Sequence, residues 1–271
     1  RSTPLVYIMP VIAQDPLTEY ATRKANRSEV KQVVVTGFGP FRNITINPSF
    51  EIARRLPAEL AAEYKPQPIP FNFFFNPDPI EVAWTPVLAA VTSLYDQFTV
   101  LPSSDSTGPY NPEQPIFIHI GAGYYGKYTL EKLAHRDGYT KTDTRNERAP
   151  IQKRYQSFAA IEQDQGGQQP MREDERGYPI IDENSSETIS TGVDVEGVLK
   201  DSMPIEPSDD AGRFLCDFIY YSSLREALAR YGPQGAGRVL FVHVPPDGTI
   251  EEGVQVLKAV IKSLVKRSAT I

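Results

Sequence analysis

Apolar residues along this chain fall into two rhythms, short continuous runs and longer stretches with helical spacing, and the two alternate. Val33-Val34-Val35-Thr36 reads as a buried strand that runs into a turn where glycines alternate with aromatics, and Pro48 and Ser49 then open an amphipathic helix. Pro66 to Phe75 mixes prolines with an aromatic run and suits a strand near a sheet edge. Pro79 to Leu101 predicts a helix with Pro86 in its first turns and Val87, Leu88, Val91 and Leu94 as its apolar stripe. Ile116 to Ile120 is a strand that ends on Gly121-Ala122-Gly123, and Thr129 to His135 follows as a short helical turn. Gly212 to Tyr231 has helical spacing, Val239 to Val244 is a last strand stopped by Pro245-Pro246, and Val254 to Val265 marks a C-terminal helix with Lys262, Lys266 and Arg267 near its negative end. Strands alternating with helices predict an α/β fold: a three-layer α/β/α sandwich around a mostly parallel, mixed central sheet. In such folds the junctions at the carboxyl edge of the sheet carry the site, which draws attention to Phe38 and Phe41.

Residues 1–29 lack a sustained period and read as an N-terminal extension; 30–271 read as one domain. Within it a polar, glycine-dotted insertion is expected at about 145–207. A formal net charge of −6 across 271 residues offers no basic stripe and argues against nucleic acid as a partner. Leu5 to Ala13 is interrupted by Pro10 and too short to span a bilayer, so no membrane role is expected. A single cysteine rules out an internal disulfide framework and suits a reducing, cytoplasmic setting. With three histidines beside that cysteine, a closed zinc site is not expected, and neither metal nor organic cofactor is implied.

The cysteine, Cys216, sits early in a helix that Asp209 or Asp210 can cap. There the macrodipole favours a thiolate, and the residue's own backbone N–H can face a developing oxyanion. The alternative is a small buried hydrophobe. A nucleophile needs a base, and His119, His135 and His243 are the candidates. His119 lies in an apolar strand, where a satisfied core histidine is expected. His135 follows Glu131 by four residues and suits a local pair. His243 stands almost at a strand end before two prolines, which suits a base or a core side chain equally. Glu131 can orient such a base, or be an ordinary exposed helix glutamate. The glycines of Thr36 to Pro40 match neither GxGxxG nor a Lys-bearing phosphate loop.

Four blocks in order, TGFGPF with INPS (36–41, 46–49), IHIGAG with TLEKLA (118–123, 129–134), DAGRFLC (210–216) and FVHVPP (241–246), resemble pyroglutamyl peptidase type I, also called pyrrolidone carboxyl peptidase. DAGRFLC and IYYSSL look more like the plant and fungal branch than the bacterial one. The resemblance implies a cysteine exopeptidase that removes an N-terminal pyroglutamyl residue from peptides, with Glu131, Cys216 and His243 as its catalytic residues. It puts Phe38, Phe41 and Phe214 around the slot for the lactam ring. Compact bacterial members carry AINxNxAR after the glutamate, whose arginine helps to form the oxyanion site. Here the text is AHRDGYTKTDTR, so Lys141 falls in the arginine's register, with Arg136 and Arg145 as substitutes. That departure keeps a second reading alive, a non-catalytic relative that binds peptides or proteins. A homo-oligomer is compatible with either reading.

Overall fold

The computed structural model describes residues 32–98, 114–150, 188–202 and 204–267. The N-terminal extension, the expected end of the second helix and most of the expected insertion lie outside them. Among the described residues the elements follow in chain order: β1 (Gln32–Gly37), α1 (Pro48–Tyr64), β2 (Asn72–Phe75), α2 (Trp84–Phe98), β3 (Ile116–Ala122), β4 (Thr129–Glu131), β5 (Leu133–His135), β6 (Thr188–Ser190), α3 (Val195–Asp201), β7 (Glu206–Ser208), α4 (Leu215–Tyr231), a 3₁₀ turn (Pro233–Arg238), β8 (Val239–Val244) and α5 (Ile250–Arg267). Six strands form one sheet in the order β2-β1-β3-β8-β4-β7, while β5 and β6 make a separate antiparallel pair. β2, β1, β3 and β8 are mutually parallel; β4 runs antiparallel to β8 and parallel to β7. The fold is thus the mostly parallel, mixed α/β sandwich that the alternation of strands and helices predicts.

Strand parity divides the core. Val33, Val35, Ile116, Ile118, Ile120, Leu240, Val242 and Val244 pack with α1, α3 and α5, whereas Val34, Phe117, Val239 and Phe241 face α2 and α4. Successive strand side chains alternate faces, so His119 and His243 point to the α4 side, as do Thr129 and Glu131 on either side of inward Leu130. α4 is buried on nearly all sides, against α2 on one flank and the β5–β6 pair on another.

Three expectations are corrected. Thr129 to His135 is not a helical turn but two short strands, and Glu131 is fully buried rather than exposed. Neither Asp209 nor Asp210 caps α4: Phe214 is its N-cap without a side-chain bond, Asp209 pairs with Lys132 at 2.8 Å, and Asp210 Oδ1 accepts from Gly212 N at 3.0 Å. Residues 188–207 are not surface insertion, because they supply β6, α3 with buried Val195, Val198 and Leu199, and the sheet-edge strand β7.

Candidate active site

Cys216 is the second residue of α4, in the first turn, where backbone N–H groups have no partner one turn back. Its side chain is partly buried and packs on the aromatic core beneath. The sheet makes room for it with glycine: a Cβ on Gly121 would stand 2.8 Å from Cys216 Sγ and 2.7 Å from Phe241 Cζ, and one on Gly123 would stand 2.7 Å from His243 Cβ. β3 and β8 pair Gly121 with His243, and β4 pairs Thr129 with His243 from the other side. The histidine is thereby seated between a glycine and a threonine, facing the helix that carries the thiol.

His243 Nδ1 lies 2.8 Å from Glu131 Oε1, which also accepts from Thr129 Oγ1 at 2.6 Å. That contact leaves the other ring nitrogen available to Cys216, whose Sγ lies over Gly121, the residue paired with His243 across β3 and β8. Burial disfavours an imidazolium here, but the interaction with Cys216, followed by that with Glu131, outweighs it and holds His243 at about 10. Burial likewise pushes Glu131 up, and the hydrogen bond and charge of His243 prevail to leave it below the ordinary carboxylate value, with smaller help from the Ser208 and Thr129 hydroxyls. The Ser208 hydroxyl makes its hydrogen bonds with the Asp210 backbone, and Glu131 Oε2 is buried with no hydrogen-bond partner among the described residues. Tyr220, one turn after Cys216, donates to the backbone oxygen of Glu131 at 2.9 Å and so ties β4 to the helix of the thiol. Sequence reasoning passed over Tyr220 and Thr129; alternation within Thr129-Leu130-Glu131 was the signal that could have found the latter.

The remaining histidines stay apart. His119 is fully buried, shares a 2.8 Å hydrogen bond with Thr36 and is lowered to about 3 by burial alone. His135 belongs to a second cluster, in which Asp217 Oδ1 accepts from the His135 backbone N at 3.1 Å and approaches its ring at 3.2 Å, while Tyr139 donates to Asp217 Oδ2 at 3.1 Å.

Phe41 and Phe214 are half-buried neighbours with ring centroids 5.3 Å apart, and Trp84 stands edge-on to Phe214 at 5.4 Å. Phe38 is buried deeper, its backbone N bound to Ser49 Oγ at 2.9 Å. Asn47 caps α1 and also donates to the Gly39 oxygen at 2.8 Å, which fixes the turn holding both phenylalanines. Of the basic residues near the departure, Lys141 is exposed, Arg136 pairs with Asp137 at 2.9 Å, and Arg145 grips Glu81 with two bonds of 2.6 and 2.5 Å.

Fold and site together define an α/β/α protein that brings a cysteine beside a histidine–glutamate pair at the carboxyl edge of a mostly parallel sheet. No protein-family model matches the chain. Curated relatives do: mouse pyroglutamyl-peptidase 1 is 28% identical over 245 residues, covering 87% of this chain and 90% of that one. The pyrrolidone-carboxylate peptidase of Bacillus amyloliquefaciens is 26% identical over 235 residues, covering 82% of each. The crystal structure of pyroglutamyl peptidase I from that Bacillus superposes with a TM-score of 0.59 at 19% identity, over 88% of this chain and 97% of that one. Pyrrolidone carboxyl peptidase from Thermococcus litoralis gives 0.58 at 15% identity, over 89% and 96%. The chain is a homologue of the pyroglutamyl peptidases.

Proposed function

We propose that this chain is a cysteine exopeptidase that removes N-terminal pyroglutamate from peptides, with Cys216 as nucleophile, His243 as base and acid, and Glu131 as the group that orients and charges the imidazole. The observation that carries this reading is the Glu131 contact to Nδ1 of His243, with Cys216 Sγ placed over Gly121, the strand partner of that histidine. An imidazolium held at about 10 is the partner a thiolate needs at neutral pH. The thiolate attacks the scissile carbonyl carbon, and the backbone N–H of Cys216, at the positive end of α4, receives the oxyanion. As the intermediate collapses, His243 gives its proton to the departing amine and a thioester remains. Water, losing a proton to the now neutral imidazole, attacks the thioester; pyroglutamate leaves and the thiolate and imidazolium are restored.

The lactam is flat, uncharged and lacks an α-amino group. Half-buried Phe41 and Phe214 offer it aromatic faces, with Phe38 as the floor beneath. A reducing, cytoplasmic setting suits a lone reactive thiol. Among the described residues no helix is long and apolar enough to cross a membrane. Cleavage of a pyroglutamyl anilide, with and without prior alkylation of the thiol, is the test: release of anilide abolished by alkylation supports the reading, and no release from the untreated protein would leave the chain as a binding relative.

A further inference from the structure

We propose that Arg42 selects pyroglutamyl substrates that carry a carboxylate on the leaving-group side, an inference that rests on the peptidase reading above. The turn after Phe41 is a tight one, with Phe41 N bonded to Ile44 O at 3.0 Å and Ile44 N to Phe41 O at 2.9 Å. Its first central residue, Arg42, has φ of 49°, a left-handed conformation that glycine would adopt without strain. A long cationic side chain occupies the place instead. Strain of this kind is a pointer to use when the side chain has somewhere particular to be.

The Arg42 guanidinium lies over the Phe41 ring, 4.8 Å from its centroid, and Phe41 in turn touches Phe214, two residues before Cys216. Arg54, Arg145, Arg213 and Arg267 each hold a carboxylate, whereas Arg42 is exposed and has none among the described residues. Stacking on an aromatic face fixes the guanidinium plane and leaves its N–H edge free to grip a carboxylate with two bonds. The chemistry of the substrate supplies that partner. Lactam formation removes the α-ammonium, so a short pyroglutamyl peptide has no positive end to repel the arginine and keeps a negative one. The uncharged ring belongs in the apolar slot; the exposed cation at the slot's edge meets the portion that projects toward solvent. Either an acidic side chain after pyroglutamate or the terminal carboxylate of a dipeptide fits.

The test compares kcat/KM of the full chain for pyroglutamyl-alanine amide, pyroglutamyl-alanine with its free carboxylate, pyroglutamyl-glutamate α-amide and pyroglutamyl-lysine amide. Wild type should favour a carboxylate-bearing substrate over the neutral amide by roughly three- to five-fold at low salt, the scale of an exposed ion pair. The preference should shrink as salt rises. Arg42→Gly relieves the turn, so loss of folding cannot mimic the result, and it should bring the ratio close to one; Arg42→Glu should turn the preference toward the lysine substrate. A gain confined to the free acid assigns the terminal carboxylate, and one confined to the glutamate amide assigns the side chain. If the ratios are the same in wild type and both variants, the role of Arg42 is refuted while the peptidase reading stands; if wild type cleaves none of the four, both fall.

Discussion

Glu131 Oε1 collects two bonds, from Thr129 and from His243, and the charge it places behind the imidazole decides what pH the site tolerates. His243 is held at about 10, above its ordinary value near 6.5, so the stability contributed by its charged form is complete below about 6.5 and is lost as pH rises through about 10. The alkaline limb of kcat/KM should fall in the same window. Glu131→Gln removes one of the two charges that raise His243, and its alkaline limb should move to lower pH by roughly one unit or more, with kcat reduced. A pH–rate profile that keeps its alkaline limb in that variant would show that Glu131 does not charge the base. Cys216→Ser should abolish turnover with the melting temperature retained, because a hydroxyl fills the space without supplying a thiolate. His243→Ala should lose roughly 10²-fold or more in kcat, while His119→Gln, whose ring meets Thr36 inside the sheet, serves as the comparison that retains turnover. Lys141→Ala measures whether the exposed ammonium reaches the oxyanion: a fall in kcat would give it that role, and no change leaves the oxyanion to backbone donors.

At the scale of elements, β1, α1, α2, β3, α4, β8 and α5 were all legible in the sequence, since each buries a continuous apolar run or a helical stripe. The three-residue strands were not. β4 is too short for alternation to stand out, and it is strand only because β8 and β7 flank it. Glu131 was therefore found through resemblance, while its burial and its place in a strand came from the fold. The cap of α4 was misread because Asp209 and Asp210 lie one turn too early and spend their carboxylates on Lys132, Gly212 and Arg213. Glycine in β3 is where element geometry governs chemistry. Gly121→Ala forces a methyl group to within 2.8 Å of Cys216 Sγ against a rigid Phe241 ring. Overpacking of this sort costs roughly 1–3 kcal/mol, and the displaced thiol should cost kcat even where the circular dichroism spectrum is unchanged. Full turnover in Gly121→Ala would show that the thiol does not depend on that space.

Across the whole molecule, Asp217 joins the helix of the thiol to the chain beyond β5. It is fully buried, receives His135 and Tyr139, and lies 4.0 Å from Arg213. Burial raises it to about 6, against the smaller opposing pull of His135 and Arg213. An acid with a raised folded value binds more protons folded than unfolded, so its contribution to stability falls as pH rises from about 4 to about 6. Asp217→Asn should flatten that part of the stability curve in denaturant titrations, and an unchanged slope would mean that another group sets it. The antiparallel pairing of β5 with β6 matters in a different way. Leu133 opposite Ser190 and His135 opposite Thr188 clasp the two ends of a long detour of the chain, and the Asp217 carboxylate holds the outgoing strand. The entropy of closing such a detour grows only with the logarithm of its length, about 0.6 kcal/mol per doubling. The cost of holding this clasp therefore depends little on how many residues run between 151 and 187, and a lineage can lengthen or shorten that stretch without unpairing the two strands beside the helix of the thiol.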